Sequence, residues 1–220
     1  MTHPTILTAH QREVLRLFAS EVDLCDAFVL SGGTALAAFH LHHRLSDDLD
    51  FFSLERVDDL RVRRFVDRVV HALSAKDQEM RRIFDRHLFF LTLQDDALLK
   101  IEFTHYPYPS LEKPRIIDGL RIDGLRDIAA NKLAAMLDRF EPKDYYDLFL
   151  LIQGSPGLAR LRADTEKKFG MRIDAVTLGA ALVRGDSLPI LPHLLTPIDP
   201  NVVSAFFLSL ARSLKKETIG

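Results

Sequence analysis

The sequence contains little cysteine, no long apolar run and almost no net charge. Cys25 is the single cysteine in 220 residues, so neither an intrachain disulfide nor a cysteine-based zinc site is possible. No apolar stretch reaches the roughly 18 residues that a membrane-spanning helix needs. The first residues also lack the basic and apolar regions of a secretion signal. We therefore expect a cytoplasmic protein with no membrane partner.

The charge balance excludes a protein that binds nucleic acid through a general basic field. The formal net charge is −2 at pH 7, so any contact with RNA must come from a local patch. Hydrophobic residues make up 47% of the chain and charged residues 27%, which is typical of a globular protein. Because 220 residues can bury one or two cores, we expect one compact unit with a helical extension.

The stretch from Val29 to Ser53 has the pattern of a strand, a glycine turn, a helix and an acidic strand. Gly32 and Gly33 allow the backbone to turn tightly and to approach a ligand. Thr34 begins a run of helix-forming residues, and the first N–H groups of a helix favour phosphate. The stretch therefore predicts a phosphate-binding turn, although Gly-Gly-Thr also occurs in ordinary turns.

Two aspartates lie on the strand that follows this helix. Asp48 and Asp50 share one face of the strand, while Leu49 and Phe51 share the other. Two carboxylates that point the same way repel each other unless a cation neutralises them, and Mg²⁺, or Mn²⁺ in its place, is the usual solution beside phosphates. The pair therefore predicts a metal site, although Asp-x-Asp also occurs on solvated strands.

The order and spacing of these motifs resemble the signature of the DNA polymerase beta-type nucleotidyltransferases. More narrowly, GGTAL, HLHHRLS and DLDFF are similar to motifs of the AbiEii/AbiGii toxin family of minimal nucleotidyltransferases. The residues that fall where the family pattern places them are Arg44, Ser46, Asp48, Asp50 and Phe51. The resemblance implies that Gly32, Gly33, Thr34, Arg44 and Ser46 bind the nucleotide.

The resemblance also implies an α+β fold. Residues 1–123 would form a polymerase beta-like core, a mixed sheet flanked by helices, and residues 124–220 would form an all-helical half that completes the active site. Apolar periodicity agrees with this division, because it predicts only helices in the second half, one of them opened by Ser155-Pro156-Gly157. In the first half it predicts a meander of three strands, Met80–Phe84, His87–Leu93 and Ala97–Phe103.

The last strand of the meander carries a further carboxylate. Lys100 and Glu102 share one of its faces. By the resemblance, Glu102 occupies the place of the family's third metal ligand. The alternative is an ordinary exposed glutamate on a meander.

The string NKLAAMLDRFEPKDYYDLFLL is similar to the C-terminal motifs of the same family. The resemblance implies that Lys132 and Arg139 hold nucleotide phosphates, and that Asp144 or Asp147 orders the site or assists proton removal. A lysine supplies a point charge to a polyphosphate, and a carboxylate near a metal can accept a hydroxyl proton. The alternative is that these four residues form ion pairs between two helices.

Two other groups of residues allow different interpretations. His40, His42 and His43 would suit zinc, but the neighbouring carboxylates and phosphate-binding turn suit Mg²⁺ better. Scattered basic residues in the helical half could form a local RNA surface or could simply keep the protein soluble. These basic residues are Lys167, Lys168, Arg172, Arg184, Arg212, Lys215 and Lys216.

The resemblance implies a metal-dependent nucleotidyltransferase that transfers an NMP from an NTP to an acceptor hydroxyl and releases pyrophosphate. The family context implies the toxin of an AbiE-like abortive-infection toxin–antitoxin system, with tRNA as the acceptor and a cognate antitoxin as a partner. Two alternatives remain open: a protein-modifying, AMP-adding transferase, and a nucleotide-binding interaction protein without turnover.

Overall fold

The computed structural model describes residues 6–154 and 157–218, and the side chains of 215–218 lie outside this description. The chain divides into two compact units, Met1–Gly124 and Leu125–Gly220. None of the helices within the described ranges is long and apolar enough to cross a membrane.

The described residues of the first unit form a seven-stranded mixed sheet with helices. The strands are β1 (Val29–Ser31), β2 (Asp48–Ser53), β3 (Asp77–Ile83), β4 (Arg86–Thr92), β5 (Leu98–His105), β6 (Arg115–Ile117) and β7 (Leu120–Ile122). The helices are α1 (Ala9–Ala19), α2 (Val22–Ala27), α3 (Gly32–Leu36) and α4 (Asp59–Leu73), and a π-helical turn (Ala37–Leu41) follows α3 directly. The strand order is β3-β4-β5-β2-β1-β7-β6, which confirms the predicted α+β core.

The pairing of the strands explains why the sheet is mixed. β2 pairs antiparallel with β1 and parallel with β5, while β1 pairs parallel with β7. The predicted meander is present as β3, β4 and β5, with strand ends that differ by one to three residues from the prediction. In this meander each strand pairs antiparallel with the next. Its last strand, β5, lies beside the acidic strand β2.

A cluster of aromatic rings packs against the face of β2 opposite the two aspartates. Alternation along β2 buries Leu49 and Phe51 completely and leaves Asp48 and Asp50 partly exposed on the opposite face. The Phe51 ring stacks on Phe18 at a centroid distance of 4.2 Å. Burial of such rings and their offset stacking stabilise the fold, so the aromatic cluster fixes which face of β2 carries the carboxylates.

The described part of the second unit is built from helices. They are α5 (Leu125–Asp138), α6 (Pro142–Gln153), α7 (Gly157–Phe169), α8 (Ala175–Val183) and α9 (Pro200–Thr218). Pro142 begins α6, where its missing N–H costs no helical hydrogen bond. The Asp174 carboxylate caps α8 by accepting hydrogen bonds from two backbone N–H groups. The predicted helix opening at Ser155 and Pro156 lies outside the described residues.

Lys168 is not the surface residue that the sequence analysis expects. Its side chain is buried, and its Nζ donates to Asp127 Oδ1 at 2.6 Å, which ties α7 to α5. Helical periodicity predicts that a lysine at this position lies on the outer face, but it cannot predict a carboxylate partner on a neighbouring helix. Lys168 therefore cannot belong to an RNA surface, and the side chains of Lys215 and Lys216 lie outside the described ones.

We expect Lys168→Met to lower the free energy of unfolding by about 3–5 kcal/mol, because it leaves the Asp127 carboxylate buried without its lysine partner. Urea denaturation followed by circular dichroism measures the loss. Lys167→Met, at the exposed neighbouring position, is the matched control and should change stability little. Equal stability of the two variants would show that the buried ion pair contributes nothing.

Candidate active site

The two glycines of the predicted phosphate-binding turn lie directly against charged side chains. Gly32 has a left-handed φ of 71°, and a Cβ atom there would lie 2.2 Å from Asp50 Oδ2. A Cβ atom at Gly33 would lie 2.8 Å from both Arg44 Nη2 and Ser46 Oγ. A side chain at either position would therefore have to displace Asp50, Arg44 or Ser46, which pack against the turn. The structure thus brings together most of the first-half residues that the sequence analysis singled out.

The start of the helix differs from the prediction. α3 begins at Gly32, two residues earlier than the predicted start at Thr34, because the left-handed glycine already turns the chain out of β1. Thr34 is buried, and its hydroxyl donates to the Asp48 carbonyl oxygen at the start of the acidic strand. Thr34 therefore positions Asp48, and its predicted contact with nucleotide stays a prediction.

Strand register brings four charged side chains together on one sheet face. In the parallel pairing of β2 with β5, Asp48 is opposite Lys100 and Asp50 is opposite Glu102. Lys100 Nζ lies 3.1 Å from Asp48 Oδ2, 3.1 Å from Glu102 Oε2 and 3.9 Å from Asp50 Oδ1. Burial alone would disfavour the ammonium form, but the three carboxylates hold the pKa of Lys100 above its usual value. Strand alternation predicts that Lys100 shares a face with Glu102, but the sequence alone indicates no role for Lys100.

Glu102 is held by a second cation that sequence reasoning missed. Arg86 donates from Nε and Nη2 to the two oxygens of Glu102 at 2.5 and 2.8 Å, and Thr104 Oγ1 donates to Oε1 at 2.8 Å. Burial opposes ionisation of Glu102, yet the hydrogen bond from Arg86, the charge of Lys100 and the bond from Thr104 lower its pKa to about 2. Glu102 therefore stays ionised at any physiological pH.

The donor set fits a divalent cation at the two aspartates better than at Glu102. Asp48 and Asp50 offer carboxylate oxygens, the ligands of hard cations, from partly exposed side chains on one face. Both oxygens of Glu102 already accept hydrogen bonds from Arg86. Among the described residues, no three or more His, Cys, Asp or Glu side chains are arranged to hold a metal ion. A metal at Asp48 and Asp50, with Glu102 as third ligand, stays a prediction.

The His40 ring contacts the backbone of the segment after β7. Its Nε2 lies 2.9 Å from the Asp123 carbonyl oxygen, near the end of the same unit. Burial lowers the pKa of His40, so the ring is neutral at pH 7. A neutral His40 bound to backbone helps to join the π-helical turn to the segment after β7.

The predicted residues of the second unit form one buried ion cluster. Lys132 Nζ lies 2.7 Å from Asp144 Oδ1 and 2.8 Å from Asp147 Oδ2. These ion pairs join α5 to α6, in agreement with the alternative that the residues form ion pairs between two helices. Arg139 is more exposed, and its Nη2 lies 3.6 Å from Asp144 Oδ2. That Oδ2 atom is buried and accepts no hydrogen bond from the described residues. The cluster thus combines a lysine with a carboxylate oxygen that accepts no hydrogen bond from the described residues.

Solved structures of other proteins share this fold. JHP933 from Helicobacter pylori is 21% identical, with a TM-score of 0.59 over 94% of this chain and 90% of that chain. MenT4, the nucleotidyltransferase toxin Rv2826c from Mycobacterium tuberculosis H37Rv, is 13% identical, with a TM-score of 0.52 over 95% of this chain and 88% of that chain. At these identities the likeness establishes the fold.

The sequence of the chain matches a family model over most of its length. Together with the fold, this match defines the protein as a nucleotidyltransferase. The chain belongs to the nucleotidyl transferase AbiEii toxin family of type IV toxin–antitoxin systems, which matches residues 14–205. Uncharacterized protein aq_aa25 from Aquifex aeolicus (strain VF5) is 34% identical over 151 residues, 67% of this chain and 68% of that protein. The family resemblance is confirmed.

We expect the pairs of Glu102 to make stability depend on pH below neutrality. Because the pKa of Glu102 is lowered from 4.5 to about 2, its contribution is present above pH 4.5 and is lost as the pH falls towards about 2. The free energy of unfolding of the unmodified protein should therefore approach that of Glu102→Gln as the medium is acidified. Urea titrations at a series of pH values measure both.

Glu55→Gln, which removes an exposed carboxylate, controls for the loss of one negative charge. A constant difference between the unmodified protein and Glu102→Gln across the acid range would contradict the assigned pairs of Glu102.

Proposed function

We propose that this nucleotidyltransferase uses a divalent cation to transfer an NMP from an NTP to tRNA, as the toxin of an AbiE-like pair with a cognate antitoxin. The contact between Gly32 and Asp50 carries the proposal, because it sets a turn suited to phosphate beside carboxylates suited to a cation. The family supports the NTP substrate and the antitoxin partner. The tRNA acceptor comes from the resemblance.

In the proposed reaction, the acceptor hydroxyl oxygen attacks the α-phosphorus of the NTP opposite the leaving pyrophosphate. The new bond joins that oxygen to the α-phosphorus, and the bond from the α-phosphorus to the bridging oxygen breaks. Asp48 and Asp50 would hold Mg²⁺ or Mn²⁺, which would neutralise phosphate charge and make the acceptor hydroxyl easier to deprotonate. Gly32 and Gly33 would let the backbone approach the phosphates without a Cβ clash.

Arg44 and Ser46 support the same turn. Arg44 is buried and donates from Nη1 to the Leu45 carbonyl oxygen at 2.9 Å, which holds its guanidinium near Gly33. A guanidinium carries a permanent positive charge in a planar fork that suits phosphate, and in Arg44 it lies beside the glycine turn. We assign nucleotide binding to Arg44 and Ser46 on this ground.

In the second unit we assign phosphate binding to Lys132 and Arg139 and the proton-accepting role to Asp144. Lys132 carries a compact charge suited to a polyphosphate. Asp144 is favoured over Asp147 because its Oδ2 accepts no hydrogen bond within the described residues, although its Oδ1 already accepts one from Lys132. Asp147 then keeps Lys132 in place between the two helices.

We expect Asp48→Asn and Asp50→Asn each to reduce nucleotide transfer about a hundred- to a thousandfold, because each removes a negative charge that binds the cation. The measurement is transfer of label from an α-labelled NTP. Asp47→Asn is the matched control, since Asp47 is exposed and precedes the acidic strand. Near-full transfer by either site variant would show that the pair does not carry the reaction.

The acceptor is tested by incubating the full chain with Mg²⁺, each α-labelled NTP in turn, and total tRNA. We expect label on RNA, at the acceptor end, with one NTP preferred. Label on protein would instead favour the AMP-adding alternative. Tight NTP binding with no transfer to either would favour a nucleotide-binding interaction protein without turnover. In each experiment Asp50→Asn should remove any transfer signal that depends on this site.

A further inference from the structure

Lys100 occupies the middle of the carboxylate face of the first unit. Its Nζ lies within 4 Å of Asp48, Asp50 and Glu102, with the two shortest distances at 3.1 Å. Its side chain is 21% exposed, so the ammonium is largely enclosed by these groups. The register of β2 and β5 fixes this position, because Lys100 is directly opposite Asp48 and lies on the same face as Glu102.

The neighbouring cation, Arg86, does not take over this role. Arg86 spans Glu102 with two parallel hydrogen bonds, an arrangement that fixes the guanidinium on that carboxylate. Lys100 instead contacts Asp48 and Asp50, the two carboxylates that the proposed function gives to the divalent cation. A lysine ammonium on a flexible stem can leave such a site, whereas a bidentate arginine pair holds its geometry more firmly.

We propose that Lys100 is an internal counter-cation that competes with the divalent metal for Asp48 and Asp50. The proposal rests on the metal-binding role of these aspartates in the proposed function. A metal ion that binds both aspartates brings a second cation against the carboxylates that Lys100 already contacts, so repulsion between the two cations favours departure of the ammonium. Lys100 thus stabilises the metal-free protein and weakens its affinity for metal. It is a positioning residue, and no bond to substrate is assigned to it.

The test is direct Mn²⁺ binding to the full chain without nucleotide, measured from the loss of the free-ion electron paramagnetic resonance signal. We expect Lys100→Met, which keeps most of the unbranched side chain and removes the charge, to bind Mn²⁺ at least about tenfold more tightly than the unmodified protein. Lys76→Met is the matched control. Lys76 pairs with Asp96 at 2.7 Å in a more exposed position of the same unit, so its loss should leave Mn²⁺ affinity unchanged.

A second readout is thermal stability, which does not depend on activity. Without metal, Lys100→Met should unfold at a lower temperature, because three carboxylates lose their shared cation. Added Mn²⁺ should then raise its unfolding temperature more than it raises that of the unmodified protein. Lys100→Gln, which can still hydrogen bond to the carboxylates, provides the same comparison if Lys100→Met does not fold.

The outcomes separate this inference from the proposed function. In one outcome the unmodified protein binds Mn²⁺, Asp50→Asn weakens that binding, and Lys100→Met binds Mn²⁺ no more tightly. Lys100 then does not compete with the metal, and the metal site at Asp48 and Asp50 is supported. If Lys100→Met binds Mn²⁺ more weakly, Lys100 only supports the site and the inference is also overturned. If neither the unmodified protein nor Lys100→Met binds Mn²⁺, both the inference and the metal role of Asp48 and Asp50 fail.

Discussion

The parallel pairing of β2 with β5 determines the electrostatics of the first unit. The register puts Asp48 opposite Lys100 and Asp50 opposite Glu102, so three carboxylates and one ammonium share a sheet face. Such a face is unfavourable without internal cations, because like charges at these separations repel strongly where solvent is partly excluded. The burial of Phe51 on the opposite side prevents the strand from turning over, since a one-residue shift would expose the core.

The local motifs of this face could be predicted from the sequence. Strand alternation is set by neighbouring residues, so the common face of Asp48 and Asp50 follows from their spacing alone. The glycine turn was also predictable, because paired glycines after an apolar run favour a tight turn, and Gly32 adopts a left-handed φ there. The α+β core and the helical second half followed from the family motifs together with apolar periodicity.

The long-range pairs could not be predicted in the same way. Arg86 reaches Glu102 because β4 pairs with β5, and nothing near Arg86 in the sequence indicates that register. Lys168 is buried against Asp127, 41 residues away, although its helix pattern suggests an exposed lysine. A period of 3.6 or 2 residues tells which side chains share a face, but it does not tell which partner covers that face.

In each unit, a lysine lies between carboxylates that the proposed function would also use. Lys100 contacts Asp48 and Asp50, and Lys132 contacts Asp144 and Asp147. The two lysines differ in how the proposed ligand of each site would interact with them. In the proposed function, a metal cation competes with the Lys100 ammonium for the same aspartates, whereas an anionic phosphate carries the charge that attracts Lys132. Separation of an internal ion pair subtracts from the affinity of whatever replaces it. The first unit is therefore expected to bind cation less tightly than its three carboxylates alone would suggest.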